Sequence, residues 1–136
     1  ELFGPPKATK SDRAAAADLG YEEGFDTAVA EGAGSQGRGS TDEDNVSWLA
    51  PLGRFQMVCY ARGTPGHHRD LAAQAGMPYA QRACLQAGKV FAGATLDLCA
   101  DKKALQGARA EFRKRTRGFT YDPLVPKRQP VPIGPP

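Results

Sequence analysis

A chain of 136 residues with 40% hydrophobic content is long enough for one ordinary domain and too short for two. No apolar run approaches the roughly 18 residues that cross a bilayer, and no basic region followed by an apolar one opens the chain, so a soluble, cytoplasmic protein is expected and a membrane partner is not. The net charge of +3 hides a split: residues 1–50 carry four basic and ten acidic side chains, residues 51–136 fourteen and five, so the two halves can attract each other or face different partners.

The opening Leu2-Phe3-Gly4-Pro5-Pro6 is rich in helix breakers, and Glu1 in place of Met leaves open a processed product, a trimmed piece or a fragment of a longer chain. Thr9 or Ser11 can then cap a short helix running to Leu19, with Asp12 suiting the dipole of its first turn and Gly20 its end. From Gly20 to Gly39 six glycines and several acids show no period, which predicts a long flexible loop over 20–38. The polar cluster Thr41-Asp42-Glu43-Asp44-Asn45 lacks the alternate ligands and distant Glu of a calcium loop and reads as a solvated acidic turn. Val46–Leu49 is a candidate strand, and Phe55-Gln56-Met57-Val58-Cys59-Tyr60-Ala61 a clearer one, because aromatic and β-branched residues fill a run between Gly53 and Gly63.

Arg62-Gly63-Thr64-Pro65-Gly66-His67-His68-Arg69-Asp70 leaves the end of that run and holds both histidines of the chain. A Pro-Gly turn with imidazoles at its tip suits a metal ligand or a base; a plain surface turn competes, since two histidines without a second ligand cluster are weak evidence. Gly76-Met77-Pro78 then starts a long helix, in which Tyr79, Ala83, Ala87, Val90, Phe91, Ala94, Leu96 and Leu98 recur at short steps through Cys99. Its small residues let it lie close to a neighbour, so it is expected to be largely buried. Asp101 caps a second helix through Arg117, stopped by Gly118. The basic residues of that helix spread around its outer faces and crowd its C-terminal end, where the dipole favours them anyway, so no nucleic-acid partner is expected. The tail from Tyr121 is Pro-rich and extended over 121–136. Cys59, Cys84 and Cys99 cannot all pair, and their spacing suits neither a disulfide framework nor a close metal cluster; free thiols are expected.

Gly39-Ser40-Thr41-Asp42 with Val46-Ser47-Trp48, then Gly63-Thr64-Pro65-Gly66-His67, then Ala87-Gly88-Lys89-Val90-Phe91-Ala92-Gly93, together resemble the C-terminal part of aminobenzoyl-glutamate hydrolase and its relatives, within the aminoacylase and carboxypeptidase-like metallopeptidase superfamily. Glu1–Lys7 is similar to the segment where such enzymes re-enter their catalytic domain. The resemblance implies an α/β fold: a C-terminal fragment of a zinc-peptidase-like three-layer catalytic domain, with one or two strands, two or three helices, an irregular N-terminal loop and a Pro-rich tail. It also implies hydrolysis of the amide bond of an acyl amino acid or dipeptide such as p-aminobenzoyl-glutamate, with a divalent metal, zinc or manganese, most of whose ligands lie outside this chain.

By the same resemblance His67 corresponds to the last metal ligand, while His68, Asp42 and Asn45 are candidates to orient that ligand or a metal-bound group from behind it. No catalytic acid or base is assigned within the chain, so as an isolated fragment it is expected to be an inactive piece of a hydrolase. The partners so implied are the N-terminal remainder of the catalytic domain, the small-molecule substrate, and a second copy in a full-length homo-oligomer. Asp44 and Asn45 stand where the family carries Gly and Asp, which motivates an alternative: a catalytically dead binding or assembly module on the same scaffold.

Overall fold

The structure, a computed structural model, describes residues 4–26, 28–29, 41–123, 125 and 128–130. Five helices follow one another: α1 (Lys10–Ala17), α2 (Glu43–Ser47), α3 (Arg69–Ala75), α4 (Pro78–Ala100) and α5 (Lys102–Arg115). The chain divides into two compact units, one of Glu1–Arg38 with Arg54–Lys102, the other of Gly39–Gly53 with Lys103–Pro136. Glu1–Phe3, Gly39, Ser40 and much of the expected 20–38 loop and 121–136 tail lie outside the described residues.

The first unit is built on α1 and the start of α4. The Thr9 hydroxyl accepts the Asp12 N–H at 3.2 Å, while Asp12 Oδ2 accepts the Thr9 N–H at 2.6 Å, so the cap is reciprocal and two otherwise orphan donors are satisfied. The Thr9 hydroxyl and the Arg82 guanidinium of α4, the latter at 2.5 Å, converge on the same Asp12 oxygen. Burial opposes ionisation of Asp12, but these donors from Thr9 and Arg82 outweigh it and hold its carboxyl below the usual value. Beside this pair Tyr79 is buried, with Phe25 stacked on its ring at 3.9 Å between centroids. Ala16, Ala61, Ala80 and Ala83 complete a small core in which alanines allow close backbone approach. Gly20, at φ +89°, lets the chain leave α1 as the Tyr21 N–H closes on the Ala16 carbonyl at 3.0 Å.

Three expectations need correction. The α/β three-layer fragment is not found: the described residues contain helices and no strand. A strand exists only by exchanging backbone hydrogen bonds with a neighbour, and among the described residues no backbone bond of residues 55–60 is found. Their side chains instead turn in part to α4, Phe55 meeting Phe91 at 4.9 Å between centroids. Val46 and Ser47, expected in a strand, sit in α2, where Glu43 and Asp44 in the first turn complement the helix dipole. Nor is α4 largely buried: among its residues only Tyr79, Ala80 and Ala83 are, whereas Leu85, Phe91 and Leu96 are 72%, 60% and 69% exposed. The start of α4 at Pro78 is as expected, and Asp101 ends it, its N–H on the Asp97 carbonyl at 2.8 Å, directly before α5.

In the second unit the Tyr121 hydroxyl donates to Asn45 Oδ1 at 2.9 Å, and Trp48 packs on Phe119 at 4.1 Å between ring centroids. The last turn of α5 carries Arg113, Lys114 and Arg115, and Gly118 at φ +78° turns the chain out of the helix. Glu111 and Arg115 pair at 2.6 Å, but both are exposed, so the bond contributes at most about 0.5 kcal/mol.

Because Asp12 joins a helix cap to a guanidinium on α4, Asp12→Ala is expected to lower stability by about 2 kcal/mol, more than the ~1 kcal/mol of a cap alone. Its carboxyl titrates lower in the folded than in the unfolded chain, so its contribution is complete above the unfolded value of about 3.9 and is lost as pH falls through the depressed folded value. Thermal melts from about pH 5 down to about pH 2 should show a shallower acid loss in Asp12→Asn than in the parent.

Candidate functional site

The histidine loop is held at its entry by the buried Ala61 and Gln74. Ala61 donates its N–H to Gln74 Oε1 at 2.8 Å, and the Gln74 amide donates to the Thr64 hydroxyl at 2.9 Å, which itself donates to the Ala61 carbonyl at 2.8 Å. Gln74 is 1% exposed, so a side-chain amide of α3 replaces the backbone partner that a strand would have supplied. On the outer side the Arg62 N–H reaches the Gly24 carbonyl at 2.8 Å and its guanidinium reaches Asp26 at 3.2 Å. Gly63, at φ +84°, makes the turn between these anchors.

His67 is exposed and sits at φ +56°, the one left-handed residue other than glycine among the described residues. A side chain in that region costs roughly 1–2 kcal/mol, and such strain collects where a site needs a particular side-chain direction. No hydrogen bond or ion pair ties its ring among the described residues. His68 follows as the N-cap of α3, where its Nδ1 accepts the Asp70 N–H at 3.3 Å, leaving Nε2 as the outward nitrogen of the neutral ring. The same Nδ1 lies 3.3 Å from the Asp70 carboxylate, so a protonated ring would find its counter-charge there. Asp70 in turn accepts the Tyr21 hydroxyl at 2.8 Å; that bond, followed by burial and the carboxylate's charge, raises the Tyr21 pKa.

Asp42 and Asn45 belong to the other unit. Asp42 is the residue before α2, exposed and making no side-chain cap bond, and Asn45 Oδ1 is engaged by Tyr121. Thus His67 and His68 share one loop, whereas Asp42 and Asn45 share a helix start elsewhere in the chain. Among the described residues no three His, Cys, Asp or Glu side chains gather closely enough to hold a metal ion. An exposed, untied imidazole fits ligation at a single point; a zinc-type centre needs three or four such donors. Sequence reasoning misses Tyr21, Asp70 and Gln74, which position the loop. Asp70 has a local signal two residues after His68, while Tyr21 and Gln74 act on partners 49 and 13 residues away.

No family model matches this chain, and no solved structure matches it. One subunit of the p-aminobenzoyl-glutamate hydrolase of Escherichia coli (strain K12) is 34% identical to it over 88 residues, which is 65% of this chain and 18% of that protein. The chain therefore spans less than a fifth of the length of this curated relative. The likeness agrees with the resemblance carried by the motifs at the level of a related protein. No described helix is long and apolar enough to cross a membrane.

Relieving the left-handed strain is expected to stabilise the chain: His67→Gly should raise stability by about 0.5–1 kcal/mol while His67→Ala, which keeps the β-carbon, should not. Gln74→Ala should cost about 2–3 kcal/mol by orphaning the buried Ala61 N–H. In thermal melts the glycine and Gln74 changes should move in opposite directions, with faster amide exchange at Arg62 and Thr64 in the Gln74 variant.

Proposed function

We propose that this chain is part of a metal-dependent amidohydrolase of the p-aminobenzoyl-glutamate hydrolase kind, in the aminoacylase and carboxypeptidase-like metallopeptidase superfamily, and that His67 supplies one ligand to its zinc or manganese. The observation that carries the reading is the strained, exposed and untied His67, on a loop whose entry is fixed by Gln74 and Gly24 and whose exit is fixed at Asp70 by Tyr21. The likeness to the E. coli hydrolase supports it. The substrate class is an acyl or aminobenzoyl group joined by an amide to an amino acid such as glutamate.

In such a hydrolase a divalent metal polarises the carbonyl and supplies a nucleophilic water near neutral pH. The part played by this chain is positioning. Gln74 and Thr64 set the base of the loop, the left-handed backbone aims His67 outward, and the His68–Asp70–Tyr21 contacts fasten the loop to α3 and to the segment after α1. One imidazole is not a catalytic centre, so the chain alone is inactive and the remaining ligands and the base come from other polypeptide. Leu85, Phe91, Leu96 and Leu98 on α4 support such a partner, because a helix apolar around most of its surface is normally covered. That the relative is itself a subunit supports an oligomeric setting. The competing reading, a binding or assembly module without catalysis, is favoured by Asn45, whose side-chain oxygen is spent on Tyr121.

A chimera discriminates the two. With the matching segment of the E. coli protein replaced by this chain, and zinc or manganese supplied, release of aminobenzoate from p-aminobenzoyl-glutamate is expected. His67→Ala should reduce it by more than the roughly 10–100-fold typical of outer partners of a metal ligand. A folded but inactive chimera favours the module. Robust turnover by the isolated chain that vanishes in His67→Ala overturns the claim that it lacks a complete site.

A further inference from the structure

Three sulfurs of the first unit line one pocket. Met57 and Cys59 stand two residues apart in the run before the histidine loop, a spacing that turns both side chains to the same side of an extended chain. Across from them Ala80, Ala83, Cys84 and Ala87 follow at the three- and four-residue steps of one face of α4. With Ala75 at the end of α3 these residues line a pocket of about 320 Å³ that opens to the surface. The lining brings no carboxylate, imidazole or amide side chain, so its only side-chain ligand atoms are two thiols and a thioether. That donor set is soft, and softness selects copper(I) over the hard cations that need oxygen.

A metal held there must displace the thiol proton, which a soft, thiophilic ion does and magnesium or calcium does not. Cys99 lies fifteen residues beyond Cys84 on α4, about 22 Å along the axis at 1.5 Å per residue, and serves as an internal control.

We propose that Met57, Cys59 and Cys84 form a binding site for one copper(I) ion in the pocket between residues 57–59 and α4. The site uses none of the residues proposed for hydrolysis and stands or falls separately from them. Each thiol loses a proton as its sulfur binds, and the ion keeps its oxidation state.

The test is an anaerobic titration of the reduced chain with copper(I) against bathocuproine disulfonate, following the absorbance of the competing chelate. One ion per chain is expected, with affinity lowered at least about 100-fold in Cys59→Ser and in Cys84→Ser, about 10-fold in Met57→Leu, and unchanged in Cys99→Ser. Unaltered affinity in Cys59→Ser or Cys84→Ser, an equal loss in Cys99→Ser, or uptake without a plateau at one ion overturns the proposal. The unmutated chain gives an independent measure: copper(I) should protect Cys59 and Cys84 from iodoacetamide and leave Cys99 reactive, read by peptide mass. Equal labelling with and without the ion overturns it as well.

Discussion

The buried amide of Gln74 is the constraint on which the histidine loop depends. A backbone N–H removed from water needs an acceptor, and Ala61 is fully buried at the point where residues 54–60 end. Gln74 meets that need with its oxygen and uses its nitrogen to hold the Thr64 hydroxyl, so a single side chain fixes both the entry to the loop and the first turn beyond it. The separation between Thr64 and Gln74, the segment that holds the left-handed His67, is thereby set.

A second constraint, Asp12, ties the N-terminal segment to α4. Its carboxylate closes the cap of α1 and accepts Arg82, while Tyr21, a few residues further on, bonds Asp70 at the start of α3. Residues 9–26 therefore touch each element around the loop: α3 through Tyr21, α4 through Asp12 and Phe25, and the loop itself through Gly24 and Asp26. The acidic excess of the first fifty residues is partly used here, in pairs with Arg82 and Arg62. The charge split thus contributes to the fold of the first unit.

What is legible in the sequence follows how local each cause is. The Thr9 cap of α1, the Pro start of α4 and the glycine stop after α5 each depend on residues within one turn, and each is found. The expected strands are absent because β-rich composition describes a side-chain surface, whereas strand formation depends on a partner that no local pattern reveals. The short α3 leaves little trace, since seven residues carry too little period and its cap is a histidine and not Ser, Thr, Asp or Asn. At the candidate site the histidines are visible as residue types. The left-handed backbone of His67 and the long-range bonds of Tyr21 and Gln74 are not, because they are properties of the assembled chain.

The exposure of α4 follows the size of its residues. At the start of α4 the narrow Ala80 and Ala83 are buried beside Tyr79; from Leu85 onward large apolar side chains appear on opposite sides, and no described element covers most of them. Folding within this unit alone would have favoured polar residues on one of those sides, as on an ordinary surface helix. Lys89 and Asp97 are the only charged residues from Cys84 to Ala100, too few to make a solvated face. The composition of α4 is therefore that of a helix covered on more than one side, and the described residues cover one. The exposed apolar surface of α4 thus supports the proposed partner on grounds separate from any likeness to a longer protein.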